Sequence, residues 1–380
     1  MSIRQTGAGK GAARQGSLAG CTPTSENRTV DTLRLIVDPE RPESPVAREA
    51  IGHAAGILRA GGLVAFPTET VYGLGANALD KSAVDAIFKA KRRPAWDPVI
   101  VHIAEESMLE ALVHDIPAVA RRLMRAFWPG PLTLLLPRSP LVSDNVTAGR
   151  PFVGIRMPSH PVALMLIRQA GVPVAAPSAN LFGRISPTTA THVLHDLNGR
   201  IDAVLDAGPT AQGVESTVLD PCQSPMRIYR PGAVTLEQIR DLGGPVELFR
   251  GSGELLESPP EALPSPGVGL RHYAPKARLI LVEANAADLG ARLAQAAEGI
   301  QAERYGIMQP ADIQLPAELA HVAKFPWGRW SEPEQMARTL YAGLHALDAF
   351  GCAVILCPLP PADGIGAALR DRLVKAANRE

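Results

Sequence analysis

The stretch GGLVAFPTETVYGLG, residues 61–75, decides how the fold begins. Upstream of it, apolar residues recur at helical spacing from Val46 to Ala60, and the glycine pair ends that helix. The apolar run LVAF then predicts a buried strand that ends at Pro67. A helix that feeds a buried strand in this way is the repeating unit of an α/β protein.

A polar loop follows this strand directly and carries Thr68, Glu69, Thr70 and Tyr72. Ligands of α/β sheets are bound at the ends of strands, so the loop is a candidate site for a small polar substrate. The alternative is an ordinary turn in which the threonine side chains bond to their own backbone.

The rest of the chain alternates helical patterns with short apolar runs, which predicts an α/β fold. The irregular order and the proline-bounded strands favour a mixed, twisted sheet in the larger first domain. After it, a compact alternation of strands and helices predicts a smaller, Rossmann-like C-terminal domain. Neither a G-x-G-x-x-G turn nor a P-loop motif is present.

Composition bounds the class of protein. The chain has 380 residues, 46% of them hydrophobic, and its 38 basic and 38 acidic side chains cancel. A chain of this length can bury a sizeable core, and without net charge it has no long-range electrostatic attraction for a polyanion. Four scattered cysteines argue against a disulfide framework, and no apolar run reaches the length of a membrane span. We therefore expect a cytoplasmic protein with no membrane contact.

Stretches of differing composition divide the chain into four parts. Five prolines and four glycines fall within residues 251–276, a composition typical of a linker. The predicted parts are a flexible N-terminal extension (1–32), the α/β domain (33–245), a linker that can close as a lid (246–276) and the small C-terminal domain (277–380).

The segment KAKRRPAWDP, residues 89–98, packs four cations into five positions before a predicted strand. Lys91 and Arg93 on such a loop suit a phosphate chain. The alternative is a solvated helix end whose cations complement the helix dipole. On the following strand, His102 is either a core histidine or a group that faces the site.

Arg156 lies within the apolar strand VGIRM, where an unpaired guanidinium is costly to bury. It needs a carboxylate, which is either an internal acid or the carboxylate of a substrate held by two hydrogen bonds.

Three further polar loops follow apolar runs. They contribute Ser178, Asn180 and Ser186, then Ser216, and finally Arg230 beside a proline. Several polar loops and two cationic segments together predict one concave site for an anionic ligand.

These segments, in this order, resemble the YrdC-type threonylcarbamoyl-AMP synthase family in its longer, two-domain form. The matching motifs are FPTETVYGLG, KAKRRPxxxP followed by VH, WPGPLTL, VGIRMP, PSAN, ESTV and RPG. The resemblance implies a YrdC-like catalytic domain that makes threonylcarbamoyl-AMP and pyrophosphate from L-threonine, bicarbonate and ATP. It further implies Mg²⁺ as the cofactor of ATP, and a downstream tRNA threonylcarbamoyl transferase complex that uses the product.

The resemblance also implies roles for individual residues. Lys91 and Arg93 would be catalytic and near the phosphates. The threonine side would comprise Thr70, His102, Arg156, Ala176 and Ser216. The ATP side would comprise Lys91, Arg93, Asp97, Phe152, Ser178, Asn180, Ser186, Arg230 and, from the linker, Ser265 or Tyr273. No residue is predicted to ligate a metal.

Two departures from the family pattern concern the ATP side. Asp97 stands where many relatives have Asn or Lys, so an anion would lie beside the phosphates unless Mg²⁺ bridges them. The linker has Val268, Gly269 and Leu270 where relatives often have Met, Lys and Tyr, so its contacts as a lid can differ.

The main alternative is an RNA-binding protein, for double-stranded RNA or tRNA, that makes no adenylate. Zero net charge and only 4% aromatic residues argue against it and leave at most a weak RNA contact. A related carbamoyl-transfer module of hydrogenase maturation proteins normally sits in a larger chain with cysteine pairs that are absent here.

Overall fold

The structure of the protein is a computed structural model, which describes residues 31–249, 263, 265, 267, 268, 272–302 and 304–378. The predicted N-terminal extension therefore lies outside the described residues except for its last two. The predicted linker is described in part.

In the first part of the chain, the described residues form eleven strands and eight α-helices. The strands are β1 (Leu33–Ile36), β2 (Val64–Phe66), β3 (Gly73–Asn77), β4 (Ile100–His102), β5 (Leu132–Pro137), β6 (Phe152–Arg156), β7 (Val174–Ala175), β8 (Ala203–Asp206), β9 (Thr217–Asp220), β10 (Met226–Arg230) and β11 (Val246–Leu248). The helices are α1 (Pro45–Arg59), α2 (Lys81–Lys91), α3 (Leu109–Leu112), α4 (Ala118–Phe127), α5 (Asp144–Thr147), α6 (Pro161–Ala170), α7 (Ala190–Leu197) and α8 (Leu236–Gly243).

All eleven strands form one sheet in the order β1-β8-β2-β3-β7-β4-β6-β5-β9-β10-β11. The parallel neighbours are β1 with β8, β8 with β2, β4 with β6, β5 with β9, and β10 with β11. The others, among them β2 with β3 and β5 with β6, are antiparallel. The predicted mixed sheet is confirmed.

Helix α1 and strand β2 follow the sequence prediction closely. Ser44 caps the helix by accepting a hydrogen bond from the Ala47 backbone N–H at 3.3 Å, and a proline occupies the first turn. The helix buries Ile51 and Leu58 against the sheet, and all three residues of β2 are buried. Burial of these apolar side chains fixes the strand that leads into the polar loop.

The second part of the chain forms a separate, four-stranded sheet. Its strands are β12 (Arg278–Val282), β13 (Tyr305–Gln309), β14 (Ala323–Pro326) and β15 (Val354–Pro358), and its helices are α9 (Leu289–Glu298), α10 (Pro333–Ala349) and α11 (Gly366–Ala377). The order is β12-β15-β13-β14, and every neighbouring pair is parallel. A parallel sheet with helical connections is the predicted Rossmann-like arrangement.

The two sheets are joined by a shared apolar core. Val71 and Val214 of the first part belong to the same buried cluster as Trp327 and Tyr341 of the second. Gly213 has φ +74°, and a Cβ there would lie 2.3 Å from the carbonyl oxygen of Ala337 in α10. Only glycine permits so close an approach of the two backbones. No helix among the described residues has the length and apolar character to cross a membrane.

Candidate active site

A cavity of about 60 Å³ lies against the first sheet and is covered by the described part of the linker. The residues predicted for the site that line it are Thr70, Arg93, His102, Arg156, Ala176, Ser178, Ser216, Arg230 and Tyr273. The predicted residues that do not line it are Lys91, Asp97, Phe152, Asn180, Ser186 and Ser265. Sequence segments more than 100 residues apart therefore meet at one site.

The cavity is not confined to one carboxyl edge of the sheet. Strands β2 and β4 are related through antiparallel β3 and β7, so they run in opposite directions. Thr70 nevertheless lies in the loop after β2 and His102 ends β4, and both line the cavity. Both residues lie at strand ends, as expected, although the two strands run in opposite directions because the sheet is mixed.

Arg156 has an internal carboxylate partner. Its Nη2 lies 2.8 Å from Glu69 Oε1, and both side chains are almost fully buried. Its Nη1 also donates a hydrogen bond to Thr70 Oγ1 at 3.0 Å. Glu69 is held in turn by the backbone N–H of Ser159, which donates to Oε2 at 3.1 Å. Of the two partners considered from the sequence, the internal acid is the one present.

This ion pair leaves hydrogen-bonding capacity unused. Among the described residues, neither Arg156 Nη2 nor Glu69 Oε1 makes a hydrogen bond, despite their proximity. His102 is paired with Arg156 across β4 and β6, and its Nδ1 also lacks a hydrogen-bond partner there. Burial, aided by the charge of Arg156, lowers the pKa of His102 to about 3, so the imidazole is neutral. The cavity therefore offers a cation and a neutral acceptor side by side.

Arg93 and Asp97 form a second buried pair. Arg93 Nη2 lies 2.9 Å from Asp97 Oδ1, and its guanidinium donates to the carbonyl oxygens of Asp97 and Pro98. Burial raises the pKa of Asp97, and the Arg93 charge opposes that shift. Asp97 is thus an internal counter-ion that is fully buried beside the cavity, and its contact with ATP stays a prediction.

Lys91 is placed behind the site and not in it. The side chain is buried at the end of α2, and Nζ donates to the backbone carbonyl oxygens of Ser178 and Asn180. The Asn180 side chain points to backbone as well, donating to the carbonyl oxygens of Leu181 and Arg184. In this structure the ammonium of Lys91 holds the PSAN loop in place, and its catalytic role near the phosphates stays a prediction.

Ser216 and Arg230 form the opposite wall. Arg230 donates to the carbonyl oxygen and to Oγ of Ser216, both at 3.0 Å. Ser216 Oγ also lies 2.8 Å from Thr133 Oγ1, one of the residues of β5. Ser216 precedes β9 and Arg230 ends β10, so the antiparallel pairing of these strands brings them together.

Glu215 is a site residue that the sequence analysis did not select. It lines the cavity and is 5% exposed. Ser186 Oγ donates to its Oε1 at 2.6 Å, which places Ser186 behind the cavity. Two groups of the second part also reach it: Tyr341 donates at 2.9 Å and Arg372 Nε at 2.7 Å.

The described part of the linker borders the cavity on a further side. Gly267, His272 and Tyr273 line the cavity, and Lys375 of α11 donates to the Gly267 carbonyl oxygen at 2.6 Å. The His272 ring packs edge-on against Phe182 with centroids 5.3 Å apart. Pockets that hold small-molecule ligands usually measure about 300–1,000 Å³, so a nucleotide can enter only if these residues move.

The two remaining predicted residues lie outside the cavity. Phe152 lines a separate, very small pocket beside it, together with Pro98 and Val99. Ser265 is fully buried within the linker. Of the two linker residues considered, Tyr273 is the one at the cavity.

Comparisons with known proteins agree with this geometry. A family model described as telomere recombination, which covers Sua5, YciO and YrdC, matches residues 56–232. A second, described as the C-terminal domain of threonylcarbamoyl-AMP synthase, matches residues 234–378.

Relatives and solved structures extend the similarity over most of the chain. The threonylcarbamoyl-AMP synthase of Bacillus subtilis is 44% identical over 328 residues, which is 86% of this chain and 92% of the relative. That of Schizosaccharomyces pombe is 37% identical over 378 residues, covering 87% and 89%. The crystal structure of Pyrococcus abyssi Sua5 complexed with L-threonine superimposes with a TM-score of 0.80 at 39% identity, covering 91% of this chain and 98% of that one. The chain therefore belongs to the threonylcarbamoyl-AMP synthase family, in its two-domain form.

Proposed function

We propose that the protein is an L-threonylcarbamoyladenylate synthase, a nucleotidyltransferase that makes threonylcarbamoyl-AMP and pyrophosphate from L-threonine, bicarbonate and ATP. The observation that carries the proposal is a cavity that places a neutral imidazole and Arg156 at one side and two further buried guanidinium groups at the other. Such a site suits an amino acid next to a polyphosphate.

The threonine side is argued from unused hydrogen bonds. Arg156 lines the cavity, and its Nη2, although 2.8 Å from Glu69 Oε1, makes no hydrogen bond among the described residues, so the guanidinium can bind the carboxylate of threonine. His102 Nδ1 is also unpartnered among the described residues and can accept a hydrogen bond from the threonine amine or hydroxyl. Ala176 leaves room beside them. The P. abyssi protein was crystallised with L-threonine, which supports this choice of amino acid.

The ATP side is argued from charge. Arg230 lies in the cavity wall, 6% exposed, and no carboxylate among the described residues forms an ion pair with it. A buried guanidinium without a counter-ion is poised for an anionic ligand. Arg93 adds a second cation, and Ser178 adds a hydroxyl. We assign this side to the phosphates and adenosine.

The reaction needs no covalent enzyme intermediate. Threonine and bicarbonate combine to a carbamate, with loss of one water and one proton. A carbamate oxygen then attacks the α-phosphorus of ATP, and the bond to pyrophosphate breaks. The protein's part is to hold the two substrates in line, to neutralise the leaving phosphates with Arg93 and Arg230, and to exclude water beneath the linker. The product is a mixed anhydride, which water would destroy.

We propose that Mg²⁺ enters as part of MgATP and is held by the phosphates. Each carboxylate next to the cavity, namely Glu69, Asp97 and Glu215, forms an ion pair with an arginine. Across the described ranges, no group of three or more His, Cys, Asp or Glu side chains could hold a metal. These residues do not form a metal site of their own, so none of them is assigned to the ion.

The reactive product must pass to a second enzyme. We propose a cytoplasmic tRNA threonylcarbamoyl transferase complex as the downstream partner, because the carbamoyl group is activated for transfer to an amine. A weak contact of this chain with RNA would assist the transfer of the product to that complex.

Release of pyrophosphate tests the proposed function. We expect release only when ATP, L-threonine and bicarbonate are all present, since the attacking carbamate requires the last two. L-valine replaces the threonine hydroxyl by a methyl group at nearly equal size and serves as the matched substrate control; it should react at least about tenfold more slowly. ATP cleavage that is indifferent to threonine would refute the proposal.

A further inference from the structure

Glu215 joins the two parts of the chain at the wall of the active site. It belongs to the first part, but Arg372 and Tyr341, which hold its carboxylate, lie on helices α11 and α10 of the second. Arg372 is fully buried, and its Nη2 also donates to the Pro231 carbonyl oxygen at 3.0 Å. Burial raises the pKa of Glu215, but the charges of Arg372 and Arg230, with hydrogen bonds from Arg372 and Ser186, together lower it to about 2. Glu215 is therefore an anion at neutral pH.

Arg230 is the other cation that reaches this carboxylate. Its charge also lowers the pKa of Glu215, although the two side chains form no ion pair within 4.0 Å. Arg230 instead donates to Ser216, the residue after Glu215. Arg93 and Arg156, by contrast, each have an internal carboxylate. Among the arginines that line the cavity, Arg230 is thus the one without an ion-pair partner in the described residues.

We propose that Arg372 is a positioning residue that neutralises Glu215 and thereby leaves Arg230 available for the phosphates of ATP. The reason is that a buried carboxylate without a partner is strongly destabilised and draws in the nearest cation. Without Arg372, that cation is Arg230. The second part of the chain thus belongs to the nucleotide site, although Arg372 itself does not line the cavity. This inference rests on the proposed function, because it concerns how the proposed substrate ATP is bound.

The first test compares Arg372→Met with a matched variant on the same helix. Arg370→Met also removes an α11 arginine with a carboxylate partner, but that partner is Glu283, which does not line the cavity and is 70% exposed. The dissociation constant of a non-hydrolysable MgATP analogue is measured by titration calorimetry for both folded proteins. We expect Arg372→Met to raise it at least about tenfold, the loss of one charged hydrogen bond, and Arg370→Met to leave it within about twofold. Equal constants in the two variants would overturn the inference.

The second test is rescue. Adding Glu215→Gln to Arg372→Met removes the charge that would capture Arg230, so the analogue should bind within about threefold of the wild-type constant. A role of Arg372 as a mere domain contact predicts no recovery, because Gln does not restore that contact. The contact of the Arg372 guanidinium with the Tyr273 ring, 5.3 Å away, is not restored by Gln either, so it also predicts no recovery. Absence of recovery in a folded double variant would therefore refute the proposal.

If Arg372→Met does not fold, the single variant Glu215→Gln tests the inference. It removes the competing anion and keeps Arg372 and the amide oxygen, so binding of the analogue should be unchanged or tighter. A tenfold weakening would mean that Glu215 supports Arg230 instead of competing for it, and would overturn the inference. Wild-type protein that fails to bind the analogue would refute the proposed function, whereas wild-type binding with an unaffected Arg372→Met variant would refute this inference alone.

Discussion

Glu69→Gln tests the buried ion pair beneath the threonine side. The substitution keeps the shape of the side chain but removes the charge that lies 2.8 Å from Arg156 Nη2. The two side chains are 7% and 5% exposed, and removing one partner of such a pair costs about 3–5 kcal/mol. The amide oxygen can still accept the hydrogen bond from the Ser159 N–H, so we expect a loss near the lower end, about 3 kcal/mol.

The chain offers a matched control in the pair of Glu43 with Arg48, whose side chains are 67% and 62% exposed. Glu43→Gln should cost at most about 1 kcal/mol, because water screens exposed charges. The assay is urea unfolding of both variants, with and without L-threonine. Threonine should stabilise Glu69→Gln more than Glu43→Gln, since its carboxylate supplies the missing anion to Arg156. Equal losses in the two variants, or equal stabilisation by threonine, would refute this account of the pair.

Three further predictions concern the other groups of the site. Arg230→Met should weaken MgATP-analogue binding about 10- to 150-fold, whereas Arg227→Met, on the same strand but paired with Glu247 at the surface, should leave it unchanged; equal effects in calorimetry would contradict the assignment. His102 has a pKa of about 3 and stays neutral, so the dissociation constant of threonine should be flat from about pH 5.5 to 7.5; an inflection near 6.5 that His102→Gln abolishes would disprove it. The pKa of Glu215 is lowered from 4.5 to about 2, so its carboxylate stabilises the folded protein fully above about pH 4.5, and this contribution is lost as the pH falls toward 2. The difference in unfolding free energy between wild type and Glu215→Gln, measured by urea unfolding, should therefore shrink between about pH 4.5 and 2. It should not change above that range.

Local patterns predicted the parts of the fold that local interactions determine. Helix α1 and strand β2 were predicted within a few residues, because an apolar stripe, a glycine pair and a proline mark their ends. The mixed character of the sheet followed from irregular strand order. That the cavity lies across antiparallel strands could not be predicted, because strands that pair from distant parts of the sequence leave no local signal.

The residues that line the site were predicted better than the groups to which their side chains bind. Residue type and loop context pointed to Arg156 and Arg230, and the family resemblance added His102; all three line the cavity. The backbone partners of Lys91 were not predicted, because a cation at a helix end looks the same in sequence whether its ammonium meets a ligand or backbone carbonyls.

The contact between Glu215 and Arg372 spans 157 positions and could not be read from either segment. One signal was present in α11, where Arg372 interrupts the buried stripe formed by Leu369, Leu373 and Ala376. A cation on the apolar face of a helix requires a buried partner, although the sequence does not say which.

The central claim is that this chain joins threonine, bicarbonate and ATP into one product. The most direct measurement is mass spectrometry of the reaction with ¹³C-labelled bicarbonate, quenched rapidly so that the mixed anhydride survives. The account predicts threonylcarbamoyl-AMP that carries the label, formed in equal amount to pyrophosphate and absent when threonine is omitted. Pyrophosphate and AMP without a labelled adduct, or an adenylate that carries no label, would contradict it.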